Sequence, residues 1–361
     1  MTTSPFFARS YGEARAKFHD AATAKNLRVE SHRNPTRGPA GEDLTTDTVL
    51  IGDPKASRLL IAMSGTHGGE GFCGSGLQVG WLGKGLFDKL PADTAVLLIH
   101  AINPSGFAWV RRVNEDNIDL NRNFIDHQAA KPQNDGYRTL RDAISPSEWS
   151  AESEQRNKAA FAAYAAQHGA MALQSAITSG QYWDDAGVFY GGTAETWSNR
   201  TLREILTPYA GSARRAAFID LHTGLGPYGF GEIMSNHFGS SIGNRLIRDW
   251  WGNEATFFDD GSTSSAVTIG DTSIGVDQAL PHTEVAGITL EYGTVPLEPM
   301  VDSVRADNWL HLHGKLDSPQ GKQIKAEIRA AFYPEYDDWK EMVFERGVYT
   351  LNGMMRGLTQ S

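Results

Sequence analysis

Two residues able to hold a metal ion stand close together early in the chain. His67 and Glu70 are separated by two glycines in the stretch Ser64-Gly65-Thr66-His67-Gly68-Gly69-Glu70-Gly71. A neutral imidazole and a carboxylate are two of the usual ligand types for zinc. Alone, His-x-x-Glu is a weak signal that an ordinary polar turn also satisfies. What strengthens it is repetition: an apolar run, then a residue able to bind metal or move protons, then glycine. The run Ala216–Leu221 leads to His222, and Val285–Leu290 leads to Glu291. Between the first and second of these lies a basic segment. It holds Arg111 and Arg112, then Ile118-Asp119-Leu120-Asn121-Arg122-Asn123-Phe124.

The arithmetic suits a catalytic zinc site, which uses three protein ligands and keeps a fourth position open. His67, Glu70 and His222 make a two-His, one-carboxylate set, for a single Zn2+. Such an ion polarises a carbonyl and lowers the pKa of a water toward ~7. Glu291 is then free to act as base toward water and as acid toward a leaving nitrogen. Arg112 and Arg122 offer bidentate donors for a carboxylate and for a developing oxyanion. Other residues carry blander readings. Cys73 reads as a small buried hydrophobe, and His311 and His313, two apart, do not share a helix face. The glycines of 71–80 lack the Lys-Ser/Thr ending of a phosphate loop. No Gly-x-Ser-x-Gly elbow is present, which weighs against a serine hydrolase.

These motifs resemble the zinc carboxypeptidase superfamily. The resemblance rests on His67-Gly68-Gly69-Glu70, Asp119-Leu120-Asn121-Arg122-Asn123-Phe124, His222 within Asp220-Leu221-His222-Thr223-Gly224, and Glu291, in that order over roughly 60–295. Three stretches, His67-Gly68-Gly69-Glu70-Gly71-Phe72-Cys73-Gly74-Ser75-Gly76, Phe189-Tyr190-Gly191-Gly192 and Glu291-Tyr292-Gly293-Thr294, are similar to an uncharacterised bacterial branch. That branch also looks related to the succinylglutamate desuccinylase and aspartoacylase group. The resemblance implies zinc at His67, Glu70 and His222, with Glu291 as general base. It also implies Arg112 at the scissile carbonyl, and Asn121 with Arg122 on the substrate carboxylate. Arg111 is adjacent to Arg112 and competes with it. The substrate tyrosine of the digestive enzymes has no single counterpart; Tyr190, Tyr228 and Tyr292 are candidates.

The elements that must position these residues follow from the apolar pattern. Leu59–Met63, Thr94–His100, Ala216–His222 and Val285–Glu291 read as buried strands, with Thr48–Gly52 and Gly231–Met234 beside them. Strands that alternate with helices point to an α/β sheet covered on both faces, and ligands bind at its strand ends. Helices are expected over 7–25, around Leu77–Leu82, from a Ser145-Pro146-Ser147-Glu148 capping box to about Ala176, over 196–209 and 240–251, and through the C-terminal third, broken at Pro319 and Pro334. Residues 26–48 are polar and are expected to include a loop, 128–146 read as turn-rich, 180–193 as a loop or short hairpin, and 259–284 as a long polar excursion or lid. The expected fold is a single three-layer α/β/α domain over 1–361 with a mixed, mostly parallel sheet. A helical insertion is expected at about 128–210 and a helical extension at about 299–361.

The chain has 361 residues, 40% apolar and 21% charged, and a formal net charge of −10. That balance argues against nucleic-acid and anionic-membrane partners. One cysteine excludes an intrachain disulfide and suggests a reducing compartment. With no signal-peptide pattern at Met1–Phe7 and no apolar run near ~18 residues, the expected localisation is cytoplasmic. An oligomer is open. The expected function is a zinc-dependent hydrolase that cleaves an amide bond next to a free carboxylate, in a small molecule or short peptide. A deacylase acting on N-acyl amino acids is the alternative. A non-catalytic binding protein is the reading from another class, and the retained Glu291 argues against it.

Overall fold

The apolar runs that end in polar residues form the middle of one sheet. A computed structural model describes residues 2–360. Its strands are β1 (Val29–Arg37), β2 (Asp43–Ile51), β3 (Arg58–Ser64), β4 (Thr94–His100), β5 (Arg215–Tyr228), β6 (Gly231–Ser235), β7 (Ala255–Thr256) and β8 (Glu284–Gly293). They lie in the order β1-β2-β4-β3-β5-β8-β6-β7. β4, β3, β5 and β8 run parallel, whereas β2 and β6 close the parallel block on either side as antiparallel neighbours. Parallel strands buried on both faces must be apolar nearly throughout. Leu59 to Met63 and Ala95 to Ile99 are all buried accordingly.

Alternation along each strand sends side chains to two different cores. Leu60, Ala62, Val96, Leu98, Ile219 and Ile288 meet α1 (Tyr11–Ala24), α2 (Gly71–Gly83), α8 (Ile242–Trp251) and α12 (Asp337–Thr359). Ile61, Met63, Leu97 and Phe218 meet α7 (Trp197–Leu206) and α9 (Thr272–Ala279) on the opposite face. The result is a three-layer α/β/α arrangement with a mixed, mostly parallel sheet. Each of the larger of these side chains contributes about 1.5–3 kcal/mol by leaving water. A third apolar cluster joins α4 (Asp135–Ile144), α6 (Ala170–Thr178), α10 (Leu297–His313) and α11 (Pro319–Phe332) near the carboxyl ends of the strands. The short α3 (Pro104–Trp109) and the long α5 (Ala151–His168) complete the helices. Among the described residues no helix is long and apolar enough to cross a membrane.

Several expected boundaries shift. Residues 26–48 contain β1 and much of β2, a hairpin whose outer strand is mostly polar because it is a sheet edge. The turn-rich 128–146 contains α4, capped by Asn134. The long helix starts at Ala151, not Ser145. Ser150 and Ser153 form its capping box, and the Ser145 hydroxyl instead bonds Tyr137 Oη and accepts from Val188 N. That helix also stops at Gly169, which adopts φ +94°, before α6 begins. The excursion 259–284 holds α9.

Candidate metal centre and active site

Three strand ends deliver the chemistry. After β3 the chain makes a single 3-10 turn, Gly68–Glu70, that leads into α2. This turn packs so closely on α3 that a Cβ at Gly68 would lie 1.8 Å from the Gly106 carbonyl carbon, so only glycine fits. His222 on β5 and Glu291 on β8 are direct register partners. His67, Glu70, His222 and Glu291 are all buried, and all line one cleft.

His67 Nδ1 lies 2.9 Å from Glu70 Oε1, and His222 Nδ1 lies 2.9 Å from Glu70 Oε2. Ligand atoms of the three residues come within 4.8 Å of one another. Glu70 Oε2 also accepts from Thr223 N at 2.9 Å. Each imidazole is backed by a carboxylate on its far nitrogen. His67 Nε2 is 3.1 Å from Asp119 Oδ1. His222 Nε2 is 2.9 Å from Asp220 Oδ2, although out of line for a hydrogen bond. Such backing orients metal-bound histidines and raises their basicity. Here it leaves both Nδ1 atoms facing Glu70. Two imidazole nitrogens and a carboxylate oxygen, brought together in a closed setting, fit a zinc-sized dication.

The same surroundings separate the two glutamates. Burial opposes the charge of Glu70, but His67 and His222 outweigh it and hold its carboxyl well below the usual range. Burial and then the Glu70 charge push Glu291 up to about 8, against His222 and Arg112. Leu225 N donates to Glu291 Oε1 at 2.9 Å and fixes the carboxylate in place.

Asp119 joins the metal cluster to the arginines. Its Oδ2 accepts from Arg112 Nε at 2.8 Å, and Arg112 Nη1 lies 3.6 Å from Glu70 Oε1. Burial opposes the Asp119 charge as well, yet Arg112, Arg122 and His67 hold its carboxyl well below the usual range. Arg122 is 2% exposed; its Nη1 donates to Asn121 O at 2.9 Å and its Nη2 donates to Thr178 O. Its Nε, itself sealed from solvent, has no partner among the described residues. Gly180, at φ +95°, makes room for this side chain: a Cβ there would lie 2.6 Å from Arg122 Cδ. Asn121 Oδ1 accepts from Thr272 N at 3.2 Å, and Asn121 lines the cleft beside Arg122.

The remaining sequence candidates lie elsewhere. Arg111 turns to α10, its Nε 3.2 Å from Asp307 Oδ2 and its Nη2 2.9 Å from Asn117 Oδ1, and it does not line the cleft. Tyr190 is buried in the 180–193 loop, where Gln181 and Tyr190 form a bridge, and is outside the cleft lining. Tyr228 is 40% exposed and donates toward Asp338 at 3.4 Å. Tyr292 alternates with Glu291 along β8 and packs in the opposite layer, with Phe344 and Leu351 of α12. Phe189, next to Tyr190, does line the cleft, its ring centroid 5.1 Å from the Arg112 guanidinium.

Asp119 and Asp220 are contributors that ligand counting passed over, although both stood inside quoted motifs. The signal was spacing: Asp220 precedes His222 by two residues on a strand and so shares its face. Glu232 was also missed. It accepts from Thr256 Oγ1 at 2.6 Å and from Ser264 N and Oγ at 3.1 and 2.6 Å. It thereby ties down the polar excursion, of which Ser265, Ala266 and Thr268 wall the cleft.

The sequence matches no curated protein. Among solved structures it is similar to a carboxypeptidase A from Helicoverpa armigera, at 14% identity over 90% of this chain and 74% of that one, with a TM-score of 0.46. It is also similar to a succinylglutamate desuccinylase from Chromobacterium violaceum, at 13% identity over 88% and 73%, with a TM-score of 0.36. A murein-tripeptide amidase from Escherichia coli O157 is similar at 16% identity over 80% and 90%, with a TM-score of 0.33. A family profile described as "Protein of unknown function (DUF2817)" matches residues 7–346, and the chain belongs to that family.

Proposed function

We propose that the protein is a zinc-dependent hydrolase of the carboxypeptidase type, cleaving an amide bond next to a free carboxylate. The observation that carries this reading is Arg122: a buried guanidinium that makes no ion pair among the described residues and lines the same cleft as His67, Glu70, His222 and Glu291. A buried cation is costly unless an anion completes it. A substrate carboxylate does so, and the Asn121 side-chain amide supplies a further donor. This anchor sets the amide carbonyl toward Arg112. Arg112 is held by Asp119 through Nε, and its remaining donors stabilise the developing oxyanion.

His67, Glu70 and His222 would hold the zinc ion, which when bound polarises the carbonyl and acidifies water. Glu291 takes the proton from the attacking water and delivers it to the leaving nitrogen. A carboxyl held high by burial suits both halves of that transfer. A dication beside it draws its pKa down toward working pH.

Glu291→Gln keeps the size of the side chain and an acceptor for Leu225 N but cannot shuttle a proton. Zinc content, measured by atomic absorption, should stay at the wild-type level. Turnover of C-terminally free peptides or N-acyl amino acids should fall at least a hundredfold, the lower end of the usual general-base contribution. Near-normal turnover by this variant would refute the mechanism.

A further inference from the structure

Beside the cleft lies a second cavity, of about 370 Å³, between α5 and α6 on one side and α10 on the other. It falls within the size range of small-molecule sites. Phe161, Ala162, Leu173, Ile177 and Val301 give it an apolar lining. At its rim Lys158 Nζ on α5 reaches across to Glu298 Oε1 at 2.9 Å and Asp302 Oδ2 at 3.4 Å on α10. An exposed ion pair of this kind opens at little cost.

The cavity adjoins the catalytic cleft, sharing Gln174, Thr178 and Leu297 with it, so the boundary between them mixes two polar side chains with one apolar one. Leu225, whose backbone N–H holds Glu291, belongs to the same hydrophobic cluster as Phe332, Met300, Val301, Leu173 and Phe161. Leu225, Phe332, Met300 and Leu297 thus give the cleft an apolar wall that runs from the general base toward the cavity. Arg122 and Asn121 take the substrate carboxylate, so the wall that starts at the general base is the one left for the acyl part. The facing wall is mixed: Asn236, Thr289, Thr268 and Asp271 stand there with Met234, Phe238 and Phe258, and Thr289 Oγ1 donates to Asn236 Oδ1 at 2.9 Å.

We propose that this cavity binds an apolar chain on the acyl side of the scissile amide while Arg122 holds the carboxylate. The assignment rests on the hydrolase reading above and narrows its substrate class. A fatty acyl group or a run of hydrophobic residues supplies the same chemistry, and the test separates them.

Binding is measured by calorimetry on the full chain carrying Glu291→Gln. The probes are N-acetyl-, N-hexanoyl- and N-decanoyl-alanine, and the peptides Gly-Ala, Leu-Ala and Leu-Leu-Ala. Burial of each methylene in such a cavity should raise affinity by roughly two- to fourfold. Steepening along the acyl series alone assigns a fatty acyl chain; steepening along the peptides alone assigns hydrophobic residues. Ala162→Trp, at an exposed helix position on the cavity wall, should flatten the dependence by filling the space. Leu173→Asp should do the same by placing a charge there. Flat affinity in both series, or a slope that neither substitution alters, would overturn the assignment. The wild-type zinc-loaded chain is run in parallel for cleavage. A steep binding series without cleavage of any probe would keep the cavity assignment and sink the hydrolase reading. Cleavage with a flat series would do the reverse.

Discussion

Asp119→Asn should loosen the metal and slow the chemistry together. The carboxylate is fully buried and meets three donors: Asn121 N at 2.9 Å and His67 Nε2 at 3.1 Å on Oδ1, and Arg112 Nε at 2.8 Å on Oδ2. Asparagine offers one acceptor oxygen and one NH2. Whichever way the amide turns, its N–H groups face either Arg112 or the His67–Asn121 pair, donor against donor. Loss of one charge-assisted hydrogen bond costs about 1.5–3 kcal/mol. On the metal side, weakened backing of a histidine ligand typically costs 10–100-fold in affinity. Asp220→Asn is the internal control. Its carboxylate also backs a histidine, but its in-line donors are the hydroxyls of Thr66 at 2.8 Å and Thr272 at 2.7 Å. Hydroxyls rotate to suit a new partner, so its effect on zinc should be the smaller. Zinc affinity is read by competition with a chromophoric chelator, and kcat/KM on the substrate found to be cleaved. An Asp119→Asn protein with wild-type zinc affinity and wild-type kcat/KM would refute the argument. So would an Asp220→Asn protein that is the worse affected of the two.

Zinc binding should raise thermal stability: at a hundredfold excess over Kd the gain is about 2.7 kcal/mol, read as a rise in Tm that chelator reverses and that His67→Ala abolishes. Gly68→Ala should cost about 1–3 kcal/mol in urea unfolding, because its Cβ must push α3 away from the ligand turn; an unchanged midpoint would contradict the packing. Burial pushes the His100 imidazole down from 6.5 to about 4, where it stacks on Phe18 at 4.6 Å and pairs with Ser75 Oγ at 2.9 Å. Between those values the unfolded chain takes up a proton that the folded chain refuses. Stability should therefore drop as pH falls through this window, by up to about 3 kcal/mol from this group. His100→Phe should flatten the pH dependence of the unfolding midpoint, and an unaltered slope would exclude His100 as a source.

The strands that carry the site were legible because they are buried on both faces. Four nearly continuous apolar runs, each ending in or just before a polar residue, became β3, β4, β5 and β8. What failed to show was set by distant partners. β1 is mostly polar because its outer edge meets water, so no alternation announced it. Ser145 mimicked a helix cap, but tertiary contacts with Tyr137 and Val188 claimed its hydroxyl. Arg111 and Arg112 are adjacent on an irregular segment, where no period assigns faces; Asp307, far along the chain, draws one away, and Asp119 holds the other. The tyrosine candidates rested on neighbouring motifs rather than on geometry. Strand alternation turns Tyr292 away from Glu291, and Tyr228 lies exposed at the far end of β5.

The pairing of His222 with Glu291 across β5 and β8 separates two kinds of evolutionary freedom. The spacing between a metal ligand and the proton shuttle is set by one rung of a parallel ladder, not by the chain that joins them. That joining chain includes α8, the Glu232-tethered segment and α9, all of which lie outside that rung. Loops there can lengthen, shorten or change composition without moving the proton shuttle relative to the ligand. A lineage can thus exchange substrate-facing walls on a fixed reaction frame, and a designer can graft that region from one member of the family to another with the catalytic spacing intact.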